Sequence, residues 1–275
     1  TGSVVTFASG ESAAAGLEGF TVRGGQGTPG VAPWGDPART YGGGILVVGA
    51  SPSLIDCVVT GNAVTGQGGG VFFFESAGVF ADGVVQGNAS TADGDAGAGI
   101  AMVSSSVDVF DALVRDNTAA SGAGGGVLAR VSGGSLRYSR ILRNTAAAGA
   151  GVRLSGRVTT VVDGNVIADN QGDGVSFQDY SSARFIQNTV VGNTGHGLRI
   201  ALCCGTTISV PLIKNTVITY NDGNGIRTDY NVDFGLFFTD TFSNSGGNYG
   251  GVMGSLGNSS LGITSRDCRF RTWSD

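Results

Sequence analysis

Short apolar runs alternate with glycine-rich turns along most of the chain, and the alternation repeats at a nearly constant interval. Eight times a Gly-x-Gly motif precedes an aliphatic residue, as in residues 42–45 and 68–71, and an asparagine follows about 20 residues later. The trailing asparagines are Asn62, Asn88, Asn117, Asn144, Asn170, Asn193, Asn221 and Asn244. A repeat of this length predicts a solenoid, in which every repeat forms one turn of a continuous stack.

One repeat, residues 42–62, predicts three short strands at residues 45–48, 53–56 and 57–60, so each turn of the stack has three sides. Side chains alternate along a strand, so the first and third residues after each Gly-x-Gly are expected to point inward. These pairs are Ile45/Val47, Val71/Phe73, Ile100/Met102, Val127/Ala129, Val152/Leu154, Val175/Phe177, Leu198/Ile200 and Ile226/Thr228. A further inward column, three residues before each asparagine, is Val59, Val85, Val114, Ile141, Ile167, Val190, Ile218 and Thr241. Stacked together, these columns predict a continuous apolar interior.

The asparagines that end the repeats have a mechanical explanation. Asparagine tolerates left-handed backbone angles at turns, and amides stacked one above another can hydrogen-bond along the axis as a ladder. We therefore expect a structural role for them and no part in ligand binding. The glycines are likewise expected to serve the turns, since none of the eight motifs opens the helical pattern that a phosphate-binding loop requires.

The two ends of the chain depart from the repeat. Residues 1–41 are expected to form an irregular first coil, in which residues 25–41 are an ordered inserted loop that contains Trp34. Residues 246–275 are expected to close the stack as a final coil. The sequence therefore predicts an all-β fold with about ten three-strand coils in a single domain, residues 1–275.

Composition narrows the classes of function. Charged residues make up 13% of the chain and the net charge is −5, so there is no basic field to hold nucleic acid. No apolar run reaches the roughly 18 residues that a membrane-spanning helix requires. The chain begins without methionine inside a predicted strand, which we interpret as the mark of a processed or trimmed product.

The four cysteines do not form the framework of a small disulfide-rich domain. Cys57 and Cys268 are predicted near opposite ends of the stack, beyond the reach of a disulfide. Cys57 aligns with small residues of later repeats and is therefore expected to be buried. The aligned residues are Gly83, Ala112 and Ser139. Cys203 and Cys204 fall in a predicted loop, either as two free thiols or as a strained vicinal disulfide.

Residues 42–62, which begin with Gly-Gly-Gly-Ile and end with Gly-Asn, resemble repeats of the right-handed parallel β-helix proteins of the pectin-lyase-like superfold. They are also similar to repeats of large bacterial secreted or surface proteins and of chlamydial polymorphic outer-membrane proteins. The resemblance covers nearly the whole chain and implies a right-handed parallel β-helix at an extracellular, periplasmic or cell-surface location. That superfold includes pectate lyases, polygalacturonases, epimerases, phage depolymerases and adhesins, so it does not assign a function.

A column of candidate site residues is predicted on the outside of the stack. The middle residue of the Gly-x-Gly motif is small in five repeats and then becomes Asp173, His196 and Asn224 on successive turns. The outward positions beside this column are Arg153, Ser176, Arg199, Arg227 and Asp229. We expect the arginines to bind the carboxylate of an acidic sugar, and Asp173 or His196 to act as a general acid or base. The alternative is that these are solvated turn residues.

The resemblance to polygalacturonases within this superfold is incomplete. Gly-His-Gly at residues 195–197 matches one of their motifs, but Asp173 stands alone where they have a pair of carboxylates. Inverting hydrolysis needs two carboxylates around a water, so that mechanism is disfavoured. Asp173 and Asp229 are also few for calcium, and we expect no metal and no cofactor. Lys214, the single lysine, is predicted to lie away from this face, which disfavours a lysine-based lyase.

Apolar residues are also predicted on the outside of the first strand, in the first half of the stack. They are Leu46, Phe72, Phe74, Ala101 and Leu128. An exposed apolar stripe of this size needs a cover or a partner. The loop 25–41, with Trp34, is one expected cover. The alternative is a surface on which Phe72, Phe74 and Trp34 bind a sugar or a protein.

Three functions remain open. The leading interpretation is an extracellular or surface module that binds a polysaccharide or a protein partner along the first-strand face. The second is a carbohydrate-active enzyme, a polysaccharide lyase or glycoside hydrolase of acidic glycans, that uses Asp173, His196, Arg199 and Arg227. The third is a structural stalk or adhesin segment of a larger surface protein.

Overall fold

The computed structural model describes residues 2–30, 38–179, 181–201, 211–229 and 235–251. Within those ranges all regular structure is β-strand, and the chain winds into three long sheets. Neighbouring strands of each long sheet come from successive turns of the chain and pair in parallel, as Ile45–Val48 does with Val71–Phe74. The fold is therefore the all-β parallel β-helix that the repeat predicts.

The first sheet contains Val5–Phe7, Ile45–Val48, Val71–Phe74, Ile100–Val103, Val127–Arg130, Val152–Ser155, Val175–Gln178, Leu198–Ala201, Ile226–Thr228 and Tyr249–Gly251. The second sheet contains Gly16–Glu18, Ser53–Ile55, Val79–Ala81, Asp108–Phe110, Ser135–Arg137, Val161–Asp163, Arg184–Ile186, Leu212–Lys214 and Gly235–Phe237. The third sheet contains Thr21–Arg23, Val58–Thr60, Val84–Gln86, Leu113–Arg115, Arg140–Leu142, Val166–Ala168, Thr189–Val191, Val217–Thr219 and Asp240–Phe242. Two small sheets consist of Ala63–Val64, Ala89–Ser90 and Thr118–Ala119, and of the antiparallel pair Thr28–Pro29 and Thr40–Tyr41.

The described residues include all three strands of nine turns, and the first strand of another turn follows them. The sequence estimate of about ten coils is therefore slightly too high for this part of the chain. The first coil contains three strands in register with the next coil, as the pairs Val5–Ile45 and Val22–Val59 show. Residues 252–275, which include Cys268 and most of the predicted final coil, lie outside the described residues.

The inward columns predicted from the repeat do form the interior. One cluster of buried apolar side chains extends from Val22 in the first turn to Leu236 in the ninth. Each buried aliphatic side chain contributes roughly 1.5–3 kcal/mol to stability, and no turn buries its inner face without its neighbours. Cys57 is a buried free thiol, as expected, and burial raises its pKa. Cys203 and Cys204 lie outside the described residues.

The eight asparagines form the predicted ladder. In each consecutive pair the Nδ2 of one asparagine donates to the Oδ1 of the next at 2.9–3.1 Å. The same Oδ1 accepts the backbone N–H of the preceding asparagine, as Asn144 Oδ1 does from Asn117 at 3.1 Å. The prediction of left-handed backbone angles at the asparagines themselves is wrong. The positive φ belongs to the residue before, such as Gly61 (63°) or Asp116 (55°).

A second, shorter ladder lies at the turn between the second and third strands. The position that Cys57 occupies becomes Ser139, Asn165 and Asn188 on later turns. Asn165 Oδ1 accepts the backbone N–H of Ser139 at 2.9 Å, and Asn165 Nδ2 donates to Asn188 Oδ1 at 3.0 Å. Buried amides therefore tie this edge in the second half of the stack, where the first half has Cys57, Gly83 and Ala112.

The apolar stripe on the outside of the first sheet is covered. Phe72 and Phe74 are 0% and 3% exposed and belong to a buried outer cluster with Leu46, Ala101, Val103, Leu128 and Tyr41. Tyr41, the last residue of the insertion 25–41, packs on Phe72 with ring centroids 5.4 Å apart. The alternative of an exposed sugar-stacking surface at Phe72 and Phe74 is wrong, because their rings are already packed. Trp34 lies outside the described residues.

Candidate functional site

The connections between each asparagine and the next Gly-x-Gly determine how far the first sheet is covered. In the first half they span residues 63–67, 89–96, 118–123 and 145–148, whereas a single residue follows Asn170, Asn193 and Asn221. Three of the long connections pair with one another as short parallel strands, and alanines of the second, third and fourth connections pack together. The long connections thus build a wall beside the first sheet, which ends near Asn170.

A groove of about 640 Å³ lies between this wall and the first sheet. The wall contributes Asp95, from the longest connection. The sheet contributes Arg130, Ser155 and Gln178, which are Cα partners on three successive strands. We call this space the central groove. Strands hold its floor, so its polar groups occupy fixed positions.

A smaller concavity of about 320 Å³ continues the central groove toward the first turn. Arg39, Tyr41 and Gln67 line it, and it shares Asp95 and Arg130 with the central groove. Gln67 is buried, and its Nε2 donates to the backbone oxygen of Asp95 at 2.8 Å. The two concavities together form one trough that runs along the axis over several turns.

Asp95 is the central polar group of this trough. Its Oδ1 accepts from Arg153 Nε at 3.3 Å and its Oδ2 accepts from Ser155 Oγ at 3.1 Å. The guanidinium of Arg130 lies 3.8 Å from the same Oδ2. Asp95 was not predicted from the sequence, because the connection that carries it has no counterpart of equal length elsewhere. The two aspartates in that connection, the longest of the set, were the available signal.

The exposure of the side chains in the predicted outward column differs along its length. Arg153 and Ser176 were expected at the surface, but both are buried, since the wall and neighbouring side chains cover them. Arg153 Nη1 donates to Ser176 Oγ at 2.8 Å. Arg199 and Arg227, beyond the wall, are partly exposed on adjacent strands. The structure therefore divides the predicted residues into a covered pair and an open pair.

Asp229 joins the two open arginines. Arg199 Nε donates to Asp229 Oδ2 at 2.7 Å, and Arg227 Nε donates to Asp229 Oδ1 at 3.0 Å. Burial alone would raise the pKa of Asp229, but the hydrogen bonds from Arg227 and Arg199 outweigh it and hold that pKa below its usual range. Asp173 Oδ2 lies 3.9 Å from Arg199 Nη1 on the other side. We call these four side chains the distal cluster.

The Gly-x-Gly column is not the external column that the repeat suggested. Ala98 and Ala150 are fully buried, and Asp173 and Asn224 are buried as well, because each side chain lies against the backbone of the adjoining turns. Asp173 Oδ1 accepts the backbone N–H of His196 at 2.8 Å. His196 Nδ1 in turn accepts the backbone N–H of Asn224 at 2.8 Å, and Asn224 Nδ2 donates to the backbone oxygen of Gly246. These three side chains bridge successive turns, so the alternative of freely solvated turn residues is wrong too.

The hydrogen bond to His196 Nδ1 restricts what its imidazole can do. A nitrogen that accepts a backbone N–H carries no proton, so the neutral ring carries its proton on Nε2. Burial lowers the pKa of His196, and Arg227 and Arg199 add to that effect against Asp173 and Asp229. In this state His196 has no free lone pair to act as a general base. It retains one donor, the Nε2–H.

The pKa of the Asp173 carboxyl shifts in the opposite direction to that of His196. Burial raises its pKa, and this outweighs the opposing effects of the His196 backbone N–H, the His196 ring and Arg199. A buried carboxyl with a raised pKa near a surface cluster is a feature of general acids, although buried structural carboxyls show it as well. The raised pKa of Asp173 is thus compatible with either a structural or an acid–base role.

Among the described residues, no group of three or more His, Cys, Asp and Glu side chains is arranged to hold a metal ion. In the same part of the chain, no helix is long and apolar enough to cross a membrane.

Comparison with solved structures finds distant similarity. The A-module of the mannuronan C-5 epimerase AlgE6 of Azotobacter vinelandii is 16% identical, over 78% of this chain and 58% of that one, with a TM-score of 0.43. A point mutant of the periplasmic alginate epimerase AlgG is 13% identical, over 80% of this chain and 69% of that one, with a TM-score of 0.36. This chain thus spans little more than half of the first of these structures. No curated protein matched the chain.

A family model gives the assignment. The model described as "Right handed beta helix region" matches residues 43–211 and, in an overlapping second match, residues 148–271. Together the two matches cover most of the chain, including every turn from the second onward. With the parallel turns and the asparagine ladder, this shows that the chain belongs to the right-handed β-helix family.

Proposed function

We propose that this chain is a glycan-binding module, and that its ligand lies in the trough over the first sheet. The observation that carries the proposal is the central groove itself, with about 640 Å³ of space beside polar groups fixed on strands. Arg130, Ser155, Gln178 and Asp95 place donors and acceptors side by side. Hydroxyl groups of a sugar both donate and accept hydrogen bonds, so they suit such a mixed set.

The composition of the trough favours a glycan over a protein partner. Protein interfaces are centred on buried aromatic or aliphatic anchors, but the aromatic rings next to this trough, Tyr41 and Phe72, are packed in the outer cluster. Val131 is the exposed apolar side chain that lines the central groove, at 48% exposure. One apolar contact beside many polar ones suits the C–H face of a sugar ring. Since polysaccharides of this kind lie outside the cytoplasm, an extracellular, periplasmic or surface location is part of the proposal.

Replacing a rim residue of the trough tests the proposal. Arg130→Ala and Gln178→Ala are each expected to lower, by about tenfold, the affinity for a glycan that the wild type binds, because each removes a charged or amide partner. The affinity is measured as retardation in a gel that contains that glycan. Arg184→Ala, which removes an exposed arginine from the second sheet, is the matched control. If all three variants bind like the wild type, the trough is not the site. If no glycan of a broad array is retained, the proposed function is wrong.

An enzyme of acidic glycans is the second candidate, and the raised pKa of Asp173 beside Arg199 is the observation that favours it. The engaged Nδ1 of His196 stands against the acid–base pair expected from the sequence. Incubation with polyuronates would show 4,5-unsaturated ends for a lyase or new reducing ends for a hydrolase. If such products appear and Asp173→Asn abolishes them, this candidate replaces the binding module.

A further inference from the structure

We infer that this face binds uncharged glycans and excludes polyuronates, because aspartates of the same chain already occupy its arginines. The inference rests on the proposed function and names the ligand class of the same trough. It reverses the expectation, drawn from the sequence, that the arginines hold a sugar carboxylate. Four arginines of the first sheet carry the argument: Arg130, Arg153, Arg199 and Arg227.

The first arginines that an aspartate already occupies lie in the central groove. Asp95 lies within 4 Å of both Arg130 and Arg153, and Arg153 also donates to Ser176. The side chain of Arg153 is 10% exposed and that of Asp95 is 14% exposed, so a ligand carboxylate would have to displace Asp95 to reach the buried guanidinium. A carboxylate attached to the same protein competes at a high effective concentration.

The distal cluster repeats this arrangement on the open part of the sheet. Both Nε and Nη2 of Arg199 lie 2.7 Å from Asp229 Oδ2. Arg227 uses its Nε on the other oxygen of the same carboxylate. The edges that would form a fork around a uronate are thus partly engaged. A uronate placed here would also meet Asp229 and Asp173, and like charges in contact weaken binding strongly.

The overall charge acts in the same direction. Asp93 and Asp179 also line the central groove, so the trough as a whole has no excess of positive charge. The net charge of the chain is −5, which repels a polyanion at long range. An uncharged glycan meets no such repulsion, and its hydroxyls can bond to the outer edges of the same aspartates and arginines.

Polymers that differ only at C6, where a carboxylate is replaced by a hydroxymethyl group, provide the test. Several polyuronates and their carboxyl-reduced derivatives, which keep the same linkage, would be compared in affinity gels and by calorimetry with the wild-type chain. We expect at least one reduced polymer to bind at least tenfold more tightly than its parent. Preferential binding of the parent polyuronates would overturn the inference while it supports the proposed function. Failure to bind any polymer of a broad glycan panel would contradict the proposed function itself.

A second experiment removes the charge of the aspartates that occupy the arginines. Asp95→Asn and Asp229→Asn keep the shape of the side chain and remove its charge, and each is expected to raise polyuronate affinity about tenfold, in a manner that salt suppresses. Asp56→Asn, on an exposed turn with φ near 50°, changes the net charge equally and should leave polyuronate affinity unchanged. Equal gains in all three variants would mean that net charge alone excludes the acid. No gain in Asp95→Asn or Asp229→Asn would show that the pairs do not set selectivity.

Discussion

The first and second halves of the solenoid share one inner core but differ on the outside of the first sheet. In the first half, long connections form a wall beside the sheet, and a second apolar cluster with Phe72 and Phe74 is buried on the sheet's outer face. In the second half the connections shrink to one residue, and the corresponding outward positions are Arg199 and Arg227. The trough lies where one arrangement gives way to the other. The repeat therefore specifies the stack, while the connection lengths and the outward columns specify its surface.

A charge placed in the shared core tests whether the two halves depend on each other. Val114→Asp removes a fully buried side chain and leaves an unpaired carboxylate, at a cost of about 5 kcal/mol or more. Because both halves share the same interior, we expect a single cooperative loss of structure in thermal melts monitored by circular dichroism. Leu113→Asp, on the half-buried outer side of the same strand, is the control. A variant that melts like the wild type would contradict the inward assignments, and loss of one half alone would show that the halves fold independently.

The outer cluster of the first half can be tested at one column of the first sheet. Phe72→Ala is expected to lower the free energy of unfolding by about 3–5 kcal/mol, since it opens a cavity in the outer cluster. Ser176→Ala, four strands further along the same column, should cost about 1–3 kcal/mol, because it removes the partner of one Arg153 donor. Urea unfolding measures both. Equal costs would mean that the two halves do not differ in their outer packing.

The second ladder offers a test in the other half. Asn165→Ala deletes the acceptor for the Ser139 N–H and the donor to Asn188, and should cost about 1–3 kcal/mol in the free energy of unfolding. Ala112, two turns earlier at this position, already lacks an amide, so Ala112→Ser serves as a mild substitution there. If Asn165→Ala unfolds at the wild-type urea concentration, the buried amides at this edge add nothing to stability.

The turn-bridging histidine, His196, is expected to make stability depend weakly on pH. The pKa of His196 is lower in the folded chain than the ordinary value of 6.5, so folding favours its neutral form. Its contribution to stability is complete above pH 6.5 and is lost as the pH falls through the folded pKa. His196→Gln keeps an acceptor for the Asn224 N–H and does not titrate. The wild type should lose more Tm than this variant between about pH 7.5 and pH 5, and parallel losses would contradict the assigned bond.

The inner architecture could be predicted because each repeat presents the same residues at the same spacing. Columns such as Val59 to Thr241 needed nothing beyond strand alternation and stacking. The surface could not be predicted in this way, since its cover comes from connections of unequal length. Ala98 and Ala150 sit under such connections, and the external column expected there is buried for that reason. Asp95 was missed because it belongs to a segment that the repeat does not align.

The distal cluster was predicted in its members more than in its arrangement. Arg199, Arg227 and Asp229 do lie together, as the outward spacing suggested. The sequence did not reveal that Asp229 would occupy both guanidinium groups, because charge pairing between turns depends on side-chain directions. Nor did it indicate that His196 would accept a backbone N–H, since that bond depends on how the next turn approaches the ring.

The asparagine ladder has a direction, and this constrains how such a protein can change in length. From Asn62 to Asn221 each Nδ2 donates to the Oδ1 of the next asparagine and also to a backbone oxygen of the preceding turn, and at the leading end the Oδ1 of Asn62 accepts the N–H of Gly25. A segment from one asparagine to the next, such as residues 118–144, can therefore be duplicated or deleted as a unit and still meet a matching amide on both sides. A change of one or two residues within a strand has no such remedy. The stack can therefore change by whole turns and in its connections, one of which supplies Asp95 to the trough.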